Sequence, residues 1–178
     1  MDIFKLSERA MGMGPTVWAR HANPKSVWSR ILGGTLVFFA FWSWFWIGVW
    51  ALAPIALALI WIWVNPRLFS PPASAESWAA RGVLGERALI NRAEVAIPPE
   101  FACAARITTG LALAFLGLCI WGFVRGEFWL AFTAWHAATV AKLWFVDRMA
   151  MLWDAVKDDH PVYAAWSRAE WGARFENV

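Results

Sequence analysis

From Ile31 to Val64 the chain carries no charged residue, and as one helix that stretch would be about 51 Å long against a hydrocarbon core of about 30 Å. It must therefore reverse once. The reversal is expected between Ser43 and Gly48, because a break at Pro54 leaves too few apolar residues before Asn65 to cross again. This predicts a first span over Pro24 to Trp42 and a second over Ile47 to Val64, with a modest kink at Pro54 inside the second. Two further apolar stretches, Ala102 to Val124 and Phe128 to Asp147, are separated only by Arg125, Gly126 and Glu127. So short a connection forces an antiparallel hairpin. The expected fold is all-α and polytopic, four transmembrane helices as two antiparallel hairpins with short interfacial helices. Along the chain this gives an N-terminal segment (1–23), a hairpin (24–64), an interfacial loop (65–101), a second hairpin (102–148) and an amphipathic tail (149–178).

Charge orients this arrangement. Of the 16 Lys and Arg, only Arg125 falls at the far turns of the hairpins, which leaves 15 on the side of the termini and the long loop. The positive-inside rule places that side in the cytoplasm. The 16 Trp give an independent check. Trp42, Trp44, Trp46, Trp50, Trp121 and Trp129 are expected at the outer interface and Trp28, Trp61, Trp63, Trp144 and Trp153 at the inner one, as two aromatic belts. With 60% hydrophobic and 16% charged residues, the composition excludes a disordered chain, and two Cys exclude a disulfide-stapled one. Cys103 and Cys119 lie roughly 24 Å apart along one helix and are read as packing residues. Met1 to Arg20 carries Asp2, Lys5, Glu8 and Arg9 without a continuous apolar core, so no cleavable signal is expected.

Several polar constellations gather toward the cytoplasmic edge. Arg20, His21, Asn23, Pro24 and Arg30 surround the start of the first span, where Asn23 suits the N-cap and Pro24 the first helical position, while Arg20 and His21 are placed to meet a lipid phosphate. Asn65-Pro66-Arg67 reads as the stop of the second span, because the residue before Pro is pushed out of helical geometry. Trp78, Arg81, Gly82, Gly85, Glu86 and Arg87 follow the Pro71-Pro72 break, and the paired glycines suggest two short interfacial turns. Lys142, Asp147 and Arg148 close the fourth span. If the protein is an enzyme, Glu86 and Asp147 are the candidate general bases.

His136 is the one ionisable residue deep in a span, flanked on its helix face by Thr133 and Thr139. It reads as a hydrogen-bonded packing residue, the alternative being a ligand to haem or chlorophyll. The opposite face carries Ala131, Ala134, Ala138 and Ala141, with Gly110, Ala114 and Gly117 on the third span as the expected complement. In the tail, Asp158-Asp159-His160 reads as a solvated turn rather than a metal site, and Val162, Tyr163, Trp166 and Trp171 with Arg168 and Arg174 as a short surface-lying helix.

The runs His21-Ala22-Asn23-Pro24 with Ser26, Trp28 and Arg30, Asn65 to Phe69, Arg81 to Arg87, and Lys142 to Phe145 with Asp147-Arg148 together resemble a family of small Trp-rich prokaryotic integral membrane proteins of unknown function. The resemblance spans about Trp18 to Trp153, leaves the tail after Asp154 outside, and implies a plasma-membrane location but no activity. The resulting expectation is a non-enzymatic multi-pass protein of the prokaryotic plasma (inner) membrane, termini cytoplasmic, whose basic edge binds anionic lipid headgroups or a protein partner through Arg20, His21, Asn23, Arg30, Asn65, Arg67, Arg81, Arg87, Lys142 and Arg148. No resident metal or cofactor and no nucleic-acid partner are expected; homo-oligomers or a larger membrane complex are allowed. The alternatives are an enzyme acting on a phosphate-bearing lipid and an accessory subunit with a cofactor on His136.

Overall fold

A computed structural model describes residues 3–173 and 175; Asp2 and Arg174 lie outside the described residues. The fold is all-α, with no strand among the described residues: α1 (Ile3–Ala10), α2 (Pro15–His21), α3 (Pro24–Trp42), α4 (Trp44–Ile47), a 3-10 turn (Gly48–Ala51), α5 (Leu52–Leu68), α6 (Trp78–Ile90), α7 (Pro99–Arg125), α8 (Phe128–Val156) and α9 (Pro161–Ser167).

α3 starts as the sequence predicts, with Pro24 in its first turn and the Asn23 side chain accepting the Lys25 amide at 2.9 Å. Its return to α5 falls at Gly48, whose φ of +54° and ψ of −130° suit only glycine. Pro54 consequently sits in the first turn of α5, where its missing N–H had no helical partner to lose, so it carries no kink. At the other end the expected stop does not occur. α5 continues through Asn65-Pro66 to Leu68. Asn65 is fully buried, accepting from the Ser26 hydroxyl and donating to Ser29 Oγ, both at 2.8 Å, and this cross-link to α3 holds helical geometry that the following proline disfavours.

α7 and α8 form the second hairpin, turned at Gly126 (φ +66°), with the Glu127 amide reaching back to the Gly122 carbonyl at 2.9 Å. Ala131, Ala134 and Ala141 of α8 are buried, as the small-residue face predicts. The matching face of α7 is different from the expected one. It carries Ala105, Thr108, Cys119 and Gly122, and a Cβ on Gly122 would come within 2.6 Å of the Ala131 nitrogen. Gly110 and Gly117 meet nothing within 4 Å and Ala114 is exposed, because they lie on the other side of the helix.

The largest departure is on the side of the termini. Trp78–Ile90 is one helix rather than two short turns, capped by the Ser77 hydroxyl on the Ala80 amide at 3.1 Å. Its glycines make room for α8: a Cβ on Gly82 would lie 2.5 Å from Val146 Cγ1, and one on Gly85 only 1.8 Å from the Met149 carbonyl oxygen. α8 itself runs nine residues past Asp147, to Val156. This extension, α6 and α9 close a core of Leu84, Leu89, Met149, Leu152, Trp153 and Trp166. Residues 161–167 therefore pack as α9 into a globular cap with Val162, Tyr163 and Trp166 buried, instead of lying on a surface. His160 caps α9 by accepting the Val162 amide at 3.2 Å.

A second cluster at the far end joins the hairpins through Phe38, Trp42, Cys119, Phe123 and Phe128. Trp42 and Trp153 thus belong to cores rather than to interfacial belts, while Trp44, Trp46, Trp50, Trp121 and Trp129 are exposed at the far end and Trp28, Trp63 and Trp144 toward the cap. Among the described residues, two stretches are long and apolar enough to cross a membrane, Pro24–Leu68 taken through its turn and Pro99–Arg125.

Candidate functional site

Between the cap and the far aromatic cluster, α1, α2, α3, α6, α7 and α8 line a half-open cavity of about 530 Å³. α2 ends at His21 and α3 begins at Pro24, so the chain folds back over itself and lays the His21 ring against Arg30 two turns into α3. Arg30 Nη1 donates to His21 Nε2 at 3.2 Å, and Arg30 Nε to the Ser26 carbonyl at 3.2 Å. A guanidinium only donates, so His21 Nε2 is the acceptor and the ring proton sits on Nδ1. That Nδ1 is buried and has no hydrogen-bond partner among the described residues. Burial, with the Arg30 and Lys142 charges added, holds the imidazole well below its usual pKa and therefore neutral near pH 7.

Across the cavity, the close approach of Gly82 to Val146 brings Glu86, one turn further along α6, to Lys142, one turn earlier in α8. Their Nζ and Oε1 are 3.2 Å apart, with the ammonium over the Phe145 ring. From this polar end the walls become apolar with depth. Ile31 and Gly34 follow Arg30 in α3, Ala112 and Leu113 follow Thr108 in α7, and Trp135 lies beyond Lys142 and Thr139 in α8. Glu8 of α1 also lines the cavity and accepts the Trp18 indole N–H at 2.9 Å.

The residues singled out from sequence divide into two groups. His21, Arg30, Glu86 and Lys142 meet at the cavity. The others are engaged elsewhere. Arg20 donates to the Arg67 carbonyl at 2.9 Å and Asn23 to the Ser70 carbonyl at 2.8 Å. The Arg67 guanidinium bonds the Trp63 and Met11 carbonyls, fastening α5 to the α1–α2 turn. Arg81 pairs with Asp154 at 2.6 Å, and buried Arg87 stacks 3.6 Å over the Trp166 ring. Asp147 accepts from Arg148 at 2.9 Å and from the Trp78 indole at 3.2 Å, away from the cavity walls. His136 packs toward α3, its Nδ1 2.8 Å from the Phe132 carbonyl and its Nε2 3.2 Å from Thr35 Oγ1, so both ring nitrogens are engaged. Trp135, Gly34 and Glu8 were not singled out from sequence. Trp135, Thr139, Lys142 and Val146 recur at spacings of four, three and four, a helical stripe that the His136-centred reading of α8 passes over.

Fold and site together define a small all-α protein in which two helical hairpins on a compact cap line a half-open amphiphilic cavity. The chain belongs to the family of unknown function DUF6653, whose family model matches residues 4–171 and so takes in α9 and most of the tail that the resemblance stopped short of. No curated protein and no solved structure matches it.

Proposed function

We propose that this is a non-enzymatic, four-span protein of the prokaryotic plasma membrane, cap and termini cytoplasmic, that binds anionic lipid at its basic edge. The observation that carries the reading is the cavity, which holds Arg30 beside the Lys142–Glu86 pair at its cap end and becomes apolar toward Ile31 and Trp135. An amphiphile oriented with its head to the cytoplasm matches that gradient. Membrane residence is supported by exposure: only 11% and 17% of the most apolar windows of Pro24–Leu68 and Pro99–Arg125 are buried, whereas the core helix of a soluble protein is buried for most of its length. The Lys/Arg partition supports the orientation. Both carboxylates that an enzyme reading would use are held by cations, Glu86 by Lys142 and Asp147 by Arg148.

The test is native mass spectrometry of protein released from nanodiscs of equal phosphatidylglycerol and phosphatidylcholine. Retained lipid should be enriched in phosphatidylglycerol, and Arg30→Gln with Lys142→Gln should abolish the enrichment. Equal retention of both lipids by the wild type would refute the reading. Arg67 and Arg87 are poor test positions, because each holds helices together.

A further inference from the structure

We propose that α1 is a hinged gate between the hairpin cavity and a second, smaller cleft in the cap, and that its outward swing opens the cavity to the cytoplasm. This goes beyond the lipid-binding reading and takes from it only the orientation of the cap.

Two hollows meet at α1. The cavity between the hairpins is lined at its cap end by Phe4 and Glu8 of α1 and by Met11 and Met13 of the segment that follows. Beyond them lies a cleft of about 250 Å³ in the cap, bounded by Arg87, Asn91 and Trp166. Glu8, Met13 and Trp18 border both hollows, so these side chains form the partition between them. Two of the three are carried on α1 and its hinge, and displacing them joins the hollows.

The segment that carries the partition is built to turn. α1 ends at Gly12, whose φ is +57°, with the Met13 amide reaching back to the Glu8 carbonyl at 3.0 Å. Gly14 then joins it to Pro15 of α2, and an added Cβ there would meet nothing within 4 Å. Gly14 thus lacks both the Cβ and the neighbours that would resist a change of ψ, and the helix before it can move as a lever. Arg67 holds the Met11 carbonyl beside this hinge, where a swing displaces it least.

Two contacts latch the closed position. Phe4 stacks on Phe145 of α8 with ring centroids 5.8 Å apart, and Glu8 accepts the Trp18 indole N–H at 2.9 Å. The outer face of α1, with Lys5, Leu6, Arg9 and Ala10, is exposed and leaves a path for the swing. Behind the gate, Val27 stands on the cavity wall, 4% exposed, in the buried cluster against which Phe4 and Met13 pack.

The test uses full-length protein in nanodiscs, with exposed Cys103 replaced by serine and Cys119 left buried, and follows modification of one introduced cysteine by a membrane-impermeant methanethiosulfonate. Val27→Cys reports access behind the gate. Val156→Cys, fully buried in the cap core and bordering neither hollow, reports general loosening of the cap. Phe4→Ala and Glu8→Ala should each speed the reaction of Val27→Cys by about fivefold or more and leave that of Val156→Cys within about twofold. Gly14→Val keeps the extended backbone already present there (φ −71°, ψ 170°) and enters open space, so it should fold normally and slow the reaction of Val27→Cys by about fivefold or more. Equal acceleration at both reporters, no acceleration at Val27→Cys, or a rate indifferent to Gly14→Val, as a static opening would give, would overturn the proposal. Lipid selectivity does not enter these rates. If the gate fails while phosphatidylglycerol is still enriched, only the gate is refuted; if the rates follow expectation without that enrichment, only the lipid-binding reading is.

Discussion

Among the glycines, Gly85 lies closest to a neighbouring helix backbone, and replacing it by alanine tests whether the cap is built as described. The added Cβ would sit 1.8 Å from the Met149 carbonyl oxygen, whereas ordinary contact begins at 3.4 Å. Relief therefore requires α6 and α8 to separate locally by about 1.6 Å, the difference between those distances. A gap of only 0.5–1 Å already forfeits about a quarter to a half of each dispersion contact. The contacts at risk are those of Leu84, Ala88, Leu89, Met149 and Leu152 in the cap core. Backbone cannot rotate away as a side chain end would, so the loss should be at least about 3 kcal/mol, at the upper end for overpacking. The control is Gly110→Ala on α7, where a Cβ meets nothing within 4 Å and removal of a helical glycine is worth up to about 1 kcal/mol in the opposite direction. Thermal unfolding in one detergent, followed by circular dichroism and intrinsic Trp fluorescence, gives both values. Gly85→Ala with wild-type stability would refute the close-approach geometry of α6 on α8.

Other substitutions probe the buried polar groups. Asn65→Ala strands the Ser26 hydroxyl and should destabilise by about 1–2 kcal/mol, with a double-mutant cycle against Ser26→Ala showing strong coupling in the same unfolding assay. Tyr163→Phe should be neutral or stabilising by up to about 1 kcal/mol, because the hydroxyl is buried without a partner among the described residues and burial has pushed its pKa to about 12. His21 is neutral in the folded protein and titrates at about 6.5 once unfolded, so the unfolded chain binds the extra proton on acidification. Stability should consequently be full above pH 6.5 and fall below it, by at most about 1.4 kcal/mol per pH unit for this group, and His21→Phe should remove that part of the slope in unfolding curves taken from pH 8 to 5.

The hairpin helices were legible in the sequence because apolar run length and turn residues act locally: Asn23-Pro24 starts α3 and Gly126 turns α7 into α8 where the pattern places them. The cap was not legible, since Gly82 and Gly85 are ambiguous until the partner helix is known. Glycine breaks an isolated helix, yet between two helices it permits an approach that no other residue allows. Asn65-Pro66 misleads for the same reason, its local preference being overridden by the Ser26 and Ser29 hydroxyls from 39 and 36 residues away. Within the site, charge and position singled out His21, Arg30, Glu86 and Lys142, but nothing local separates them from Arg67 or Arg87. What separates them is whether packing turns the side chain to the cavity wall, as for Arg30 and Lys142, or against the α1–α2 turn or the Trp166 ring, as for Arg67 and Arg87.

The central claim, an anionic lipid held at the cavity between the hairpins, is tested most directly by photo-crosslinking with a phosphatidylglycerol analogue carrying a diazirine at one chain end, followed by peptide mapping. Adducts are predicted on the cavity wall, on Gly34 and Trp135. Adducts confined to outward-facing residues such as Trp50, Leu57 and Ile60, with none on the cavity wall, would contradict it.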